Sequence, residues 1–167
     1  MLPDGWCPEG LDDSKRLTAP RRELLYREII EGALCWGAFA VSPCRIDHIN
    51  ILRASLEAMA GAVGLLGCTP DLALIDGPHA PELDCPARTV IGGDGRSAAI
   101  AAASIIAKVS RDHLMVQLDG RWPGYGFAEH KGYGSPVHMA ALQALGACPL
   151  HRRSFRPVAD LDQGMLW

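Results

Sequence analysis

The sequence predicts an α/β domain, in which strands and helices alternate along the chain and form layers. Two short apolar runs provide the first observation, because each leads to an aspartate beside glycine: Asp76 and Asp94. An alanine-rich segment, residues 97–118, follows the second run at once and has the composition of a tightly packed helix. Further helical patterns, each with its own start and stop signals, lie on both sides of these runs.

The composition is typical of one globular domain spanning residues 1–167, with a tail from about residue 160 that we expect to be poorly ordered. The chain is 49% hydrophobic and 21% charged. Its apolar runs are too short to cross a membrane, and its N-terminus lacks the blocks of a secretory signal. Its six cysteines include no Cys-x-x-Cys pair. This pattern argues against zinc and favours reduced thiols in the cytoplasm.

The first half of the chain contains two predicted helices and one predicted strand. Thr18 is a suitable N-cap for a helix that ends at Gly32, and the alternating residues 34–41 predict a strand. Ser42 opens a second helix that Gly67 ends. The apolar stripe of this helix, predicted to be core, consists of Leu52, Leu56, Met59, Val63 and Leu66.

The second half begins with the strands that end at Asp76 and Asp94. After the alanine-rich helix, residues 122–134 form a loop rich in glycine and aromatic residues. Ser135 then starts a final helix that ends before Gly146.

The two strand-end aspartates suggest a site for Mg²⁺ or Mn²⁺, since these ions prefer oxygen ligands. Parallel strands would place both carboxylates at one sheet edge. An antiparallel hairpin would separate Asp76 and Asp94 by roughly 17 Å, from five residues of about 3.4 Å each. The connection, residues 77–86, is ten residues long, slightly below the dozen or so usual for a parallel crossover. Spacing alone therefore leaves both arrangements open and leans against a shared site.

Six segments together resemble bacterial ribonuclease HII, in that family's order, over nearly the whole chain. They are LDDSK at 11–15, IDHINIL at 46–52, IDG at 75–77, GD at 93–94 with AAASIIAKVSRD at 101–112, HKGY at 130–133 and HRRSFRPV at 151–158.

The resemblance implies a ribonuclease H-like fold with a mixed central sheet flanked by helices, and parallel strands before Asp76 and Asp94. It implies a metal-dependent endonuclease that hydrolyses the RNA strand of RNA–DNA hybrids and ribonucleotides embedded in DNA, leaving 5′-phosphate and 3′-hydroxyl ends. Asp76 and Asp94 would be catalytic ligands of Mn²⁺ or Mg²⁺. Tyr133 would stack on the sugar beside the ribonucleotide, and Lys131 and Lys15 would contact phosphates. The resemblance implies no association with a membrane and no obligate protein partner.

One part of the family pattern, a glycine-rich Asp-Glu pair on the first strand, is missing from this sequence. We therefore expect a chain truncated at its N-terminus, poorly stable and nearly inactive, because two carboxylates instead of four halve the charge that holds two divalent ions. Asp4, Glu9, Asp12 and Asp13 do not replace the pair. The alternative function is that of a catalytically dead remnant that at most binds hybrid duplexes.

Other residues with charged or reactive side chains can be interpreted without a role in catalysis. The net charge of −3 suits nucleic acid poorly, although residues 121–156 are locally basic, which equally fits a solvated face. Asp94 could also cap the following helix. Asp112 is interpreted as a surface ion pair and Ser104 as a packing residue. Spacings of 8 and 13 residues between His130, His138 and His151 fit no zinc pattern and predict structural or surface roles.

Overall fold

The computed structural model describes the backbone of residues 1–164 and the side chains of residues 1–161. By their internal contacts these residues form two compact units. The first unit contains Met1–Ala40 and Ser55–Ser110, and the second begins with Val41–Ala54 and continues from Arg111. That residues 1–167 form a single domain stays a prediction. No helix in the described part of the chain is long and apolar enough to cross a membrane.

Helix α1, Ala19–Gly32, confirms the first predicted helix. The Thr18 hydroxyl accepts a hydrogen bond from the Arg21 amide at 3.4 Å, which satisfies one of the free N–H groups of the first turn. Leu25 and Ile29 are fully buried on its inner face. They pack against α4, Ala98–Arg121, through Ala102, Ile105, Ile106 and Val109. The sequence predicted that the small side chains of α4 pack against the sheet, whereas this cluster joins α4 to α1.

The predicted second helix is two helices: α2, Pro43–Ile49, and α3, Ile51–Gly64. The break lies at Asn50, whose φ of 69° is positive, which is uncommon for a residue other than glycine and is incompatible with a continuous helix. Its side-chain oxygen accepts the Arg53 amide at 3.1 Å and so caps α3. The prediction that the apolar stripe is core was wrong for Leu52, which is 49% exposed. The other four members are half-buried.

The predicted strand at residues 34–41 is not formed as a strand. The Leu34 amide donates to the Met1 carbonyl at 3.0 Å, and the Met1 ammonium donates to the Cys35 carbonyl at 2.6 Å. In the described residues, regular backbone pairing of this segment does not continue beyond these two bonds. The alternating residues 34–41 therefore have no neighbouring strand to pair with. The segment instead lies against α3, where the Phe39 ring contacts Gly61.

The sheet of the described residues has two strands, β1 Ala73–Asp76 and β2 Ala87–Val90, paired in parallel with Asp76 opposite Val90. Parallel pairing confirms the arrangement that the resemblance implied. Ala73 and Ile75 are buried with Cys85, against Met59 of α3. The prediction that Asp94 ends the second strand was wrong. After β2 the chain turns through left-handed Gly92, and Asp94 lies in a 3₁₀ turn, Gly93–Gly95.

The second unit contains the short helix α5, Phe127–His130, and α6, Pro136–Leu145, with the Ser135 cap that was predicted. Helix α6 is not the final one, because α7, Arg156–Gly164, follows. The predicted tail from residue 160 is therefore helical as far as Gly164, and residues 165–167 lie outside the described residues. A buried hydrophobic cluster of this unit consists of Met115, Tyr125, Phe127 and Cys148.

Candidate active site

The two predicted metal ligands lie at the same end of the parallel sheet. Asp76 is the last residue of β1, and its Oδ1 accepts a hydrogen bond from the Gly93 amide at 2.9 Å. This bond ties Asp76 to the turn that carries Asp94. Gly93 is required for the approach, since a Cβ there would lie 2.4 Å from Cδ1 of Ile100 and 3.4 Å from Oδ1 of Asp76.

Each carboxylate uses one oxygen within the protein. Oδ1 of Asp94 accepts the amide of the next residue, Gly95, at 3.0 Å, a bond within the 3₁₀ turn, and no bond from Asp94 to the first turn of α4 is present in the described residues. No hydrogen bond to Oδ2 of Asp76 or Asp94 is present in the described residues. Asp76 is exposed and Asp94 half-buried, so both remain accessible to an ion. These oxygen donors suit a hard divalent cation. Across the described residues, however, no three His, Cys, Asp or Glu side chains converge on one point.

Lys15, in the first unit, lies in a turn that its neighbours hold in place. Its amide donates to Oδ1 of Asp13 at 2.9 Å, and Arg22 of α1 donates to the Ser14 carbonyl at 2.8 Å. The Lys15 side chain is exposed, as a phosphate contact requires. None of the described hydrogen bonds joins this turn to Asp76 or Asp94.

The other two predicted substrate residues share a loop of the second unit. The Tyr133 side chain is 59% exposed, so its ring face is accessible. Lys131 has a left-handed φ of 53°, and Arg111 donates to its carbonyl at 3.1 Å. The Lys131 ammonium is half-buried and donates to the Ala128 carbonyl. A phosphate would therefore have to compete with this internal bond, a constraint that the sequence did not indicate.

Sequence reasoning missed the histidine network that holds this loop. Nδ1 of His138 lies 2.9 Å from the Tyr133 carbonyl, which only accepts, so Nδ1 carries the proton. Nε2 of His138 is then an acceptor and lies 3.0 Å from Nε2 of His151, which must donate. Nδ1 of His151 in turn accepts the Cys148 amide at 3.1 Å. A longer contact of 3.3 Å to the Cys148 carbonyl would require the opposite tautomer.

A third histidine completes the support of the loop. Nε2 of His130 donates to the Tyr125 carbonyl at 2.7 Å, and its Nδ1 accepts the Gly132 amide at 3.1 Å. The His130 and His138 rings stack with centroids 4.2 Å apart. The structural role predicted for these histidines is therefore confirmed. The backbone on both sides of Lys131 and Tyr133 is fixed by neutral imidazoles.

The two buried histidines of this network, His138 and His151, resist protonation. Burial lowers the pKa of His138 below its ordinary 6.5, aided by the neighbouring His130, while the bond to the Tyr133 carbonyl opposes the shift. Burial likewise lowers the pKa of His151, with His138 and His130 adding to the effect and the backbone of Cys148 opposing it. Burial raises the pKa of the facing Cys148 thiol and of Tyr125, so both stay uncharged at neutral pH. A proton on either imidazole would place two N–H groups face to face.

These shifts predict how stability depends on pH. Because His138 and His151 bind protons more weakly in the folded state, the unfolded state takes up more protons at low pH. We expect their full contribution to the free energy of unfolding above pH 6.5, and its loss as the pH falls below 6.5. Urea unfolding across this range measures the slope. A His138→Leu, His151→Leu double variant serves as control. An unchanged slope in that variant would contradict the assignment.

Two of the family-like segments meet within the second unit. The Asp47 carboxylate accepts the Arg153 amide at 2.7 Å, and its Oδ1 accepts both the amide and the hydroxyl of Ser154, at 2.9 and 2.5 Å. Desolvation opposes ionisation of Asp47, but the bonds from Ser154 and Arg153 and the charge of Arg152 outweigh it and lower the pKa. Asp47 lies more than a hundred residues before Arg153 and Ser154, so no local sequence pattern predicts this contact.

The comparisons with known proteins agree with the fold and the segments described above. The family model for ribonuclease HII matches residues 8–158. A ribonuclease HII of Geobacter metallireducens is 51% identical over 160 residues, covering 96% of this chain and 75% of that protein. A ribonuclease HII of Nitrosococcus oceani is 51% identical over 159 residues, covering 95% of this chain and 79% of that protein.

A solved structure supports the fold independently. The crystal structure of the ribonuclease H2 from Pyrococcus horikoshii OT3 superposes with a TM-score of 0.79 at 22% identity, covering 93% of this chain and 81% of that chain. At this identity the similarity establishes the ribonuclease H-like α/β fold alone. The family match over residues 8–158 and the relatives at 51% identity show that this chain belongs to the ribonuclease HII family of ribonuclease H-type hydrolases.

Proposed function

We propose that the site at the sheet edge is that of a metal-dependent endonuclease acting on RNA–DNA hybrids and on ribonucleotides embedded in DNA. The products would carry 5′-phosphate and 3′-hydroxyl ends, and the reaction would take place in the cytoplasm. The observation that carries the proposal is the junction of Asp76 with the Gly93–Gly95 turn, which brings two carboxylates to one end of a parallel sheet. Family membership supports hydrolysis as the chemistry.

The role of the carboxylates is to bind Mg²⁺ or Mn²⁺ at this edge. When bound, such ions activate water and stabilise the leaving 3′-oxygen. The exposed residue Asp76 contributes an oxygen of a carboxylate held in place through its Gly93 bond, and Asp94 contributes an oxygen of a carboxylate bonded to the Gly95 amide. Both oxygens are oriented before an ion binds, which reduces the ordering that binding must impose.

The role of the loop in the second unit is to contact the substrate. The exposed Tyr133 ring would stack on the sugar beside the ribonucleotide, and discrimination against DNA requires reading a 2′-hydroxyl there. Lys131 and Lys15 would contact phosphates, which position the duplex without reading its sequence. The histidine network supports this assignment, because a stacking ring needs a backbone that does not move away.

A second candidate function is duplex binding without cleavage. It is favoured by the observation that only two carboxylates meet at the sheet edge in the described residues, whereas the family resemblance implies four. Halving the negative charge weakens the binding of two ions far more than that of one. This candidate predicts retention of hybrid duplexes with no products at any metal concentration.

We expect Asp76→Asn and Asp94→Asn each to weaken Mn²⁺ binding at least about tenfold, since loss of a ligand costs at least as much as loss of an outer-shell partner. Mn²⁺ titration followed by electron paramagnetic resonance measures the affinity. Asp71→Asn, which removes an exposed carboxylate just before β1, is the matched control and should change nothing. Equal Mn²⁺ affinity in all four proteins would refute the metal site.

The same proteins separate the two candidate functions when mixed with a hybrid duplex. Cleavage by the unsubstituted protein that disappears in Asp76→Asn and Asp94→Asn supports the endonuclease. Binding that survives in these variants, with no cleavage by any protein, supports the second candidate instead.

Tyr133→Ala should weaken binding of the hybrid more than binding of a DNA duplex, and equal losses would remove Tyr133 from the site.

A further inference from the structure

Two cysteines that are distant in sequence meet in the first unit. The sulfur atoms of Cys35 and Cys68 lie 3.3 Å apart, in van der Waals contact and without a covalent bond. Cys35 is half-buried and Cys68 is exposed. Of the other thiols, Cys7 and Cys44 are exposed, whereas Cys85 and Cys148 are buried. Among the described thiols, only Cys35 and Cys68 pair with each other.

The backbone on the Cys35 side is held in place. The Met1 ammonium donates to the Cys35 carbonyl, and the adjacent Leu34 amide donates to Met1. On the other side, Cys68 follows the end of α3 and comes directly after Gly67, whose φ is 71°. The two sulfurs lie 3.3 Å apart, and an S–S bond is about 2.05 Å long, so a movement of little more than about 1 Å brings them to bonding distance.

We propose that Cys35 and Cys68 form a reversible redox modification site that reacts with low-molecular-weight disulfides such as glutathione disulfide. The Cys68 thiol loses its proton to solvent, and its sulfur attacks one sulfur of the oxidant and expels one glutathione thiolate. Cys35 then attacks the Cys68 sulfur of this mixed disulfide and expels the second. The protein loses two electrons and two protons, and the oxidant leaves as two molecules of glutathione.

The chemistry of the pair sets its pH dependence. The contact with Cys35 raises the pKa of the Cys68 thiol, and desolvation adds to this, whereas the positive Met1 terminus opposes it. Since the thiolate is the nucleophile, the reaction accelerates as the pH rises. Access is not limiting, because Cys68 also lines an open groove of about 560 Å³ with Val63, Thr69 and Pro70.

The test is incubation of the folded protein with glutathione disulfide, followed by peptide mapping by mass spectrometry without reduction. We expect the loss of two of the six thiols, with Cys35 linked to Cys68 as the predominant cross-link and its reversal by dithiothreitol. In Cys35→Ser, Cys68 should stop at the mixed disulfide. Cys7→Ser and Cys44→Ser are matched controls in which the cross-link should form as in the unsubstituted protein.

Three outcomes would overturn the proposal. The first is a cross-link of Cys68 to Cys7 or Cys44 as abundant as the one to Cys35. The second is accumulation of mixed disulfides at both Cys35 and Cys68 with no cross-link. The third is the same distribution of cross-links in the folded protein and in urea, which would mean that the fold does not select the pair. Each is read from the unsubstituted protein, so none depends on the folding of a variant.

Discussion

Replacing His151 by alanine is expected to lower the free energy of unfolding by about 2–5 kcal/mol, the range for losing a large buried side chain and its hydrogen bonds. His151 is buried, and its ring donates to Nε2 of His138 and accepts the Cys148 amide. Its removal leaves both partners unsatisfied in the core of the second unit. Urea unfolding measures the loss, and amide exchange at Gly132 reports whether the loop that contains Lys131 and Tyr133 loosens at the same time.

Two further variants show which interaction is responsible. His151→Leu retains most of the volume but neither hydrogen bond, so a loss close to that of alanine would assign the cost to the bonds rather than to a cavity. His79→Ala removes an exposed imidazole from the loop after β1 and should stay within about 0.5 kcal/mol of the unsubstituted protein. A His151→Ala protein as stable as His79→Ala would show that the network does not support the second unit.

Gly93→Ala is expected to cost about 1–3 kcal/mol, the range for forcing an extra carbon into a packed site, and to weaken Mn²⁺ binding. The new Cβ would lie 2.4 Å from Cδ1 of Ile100, whose side chain is 5% exposed, and 3.4 Å from Oδ1 of Asp76. Relief of this clash must move either the turn or the buried Ile100 side chain. A shift of the turn disturbs the bond that joins Asp76 to the turn carrying Asp94.

The neighbouring glycine provides the control. A Cβ at Gly95 meets nothing within 4 Å, so Gly95→Ala should retain both stability and Mn²⁺ affinity. Ile100→Val removes the clashing Cδ1, and combined with Gly93→Ala it should cost less than the sum of the two single substitutions. Strict additivity, or equal effects of alanine at positions 93 and 95, would mean that close packing at Gly93 does not position the site.

Local signals in the sequence were sufficient for α1, α4 and α6 and for the start of α2, but not for α5 and α7. Thr18, Ser42 and Ser135 each cap the helix that was predicted to follow them, and the alanine-rich segment forms α4. Capping bonds join groups three residues apart, so the sequence contains both partners side by side. The same range limits the prediction, because the break at Asn50 depends on a single residue with positive φ inside an otherwise helical pattern.

The family-like segments, read from the sequence, were sufficient to identify the ribonuclease HII family, but not the geometry of its site. A connection of ten residues left the pairing of β1 and β2 open, the family resemblance implied parallel strands, and the folded sheet confirms that they run in parallel. The bond from Gly93 to Asp76 joins residues 17 positions apart, and the pairing of His138 with His151 joins residues 13 positions apart. Such partners are selected by packing of whole elements, since no interaction within one helical turn or strand specifies them.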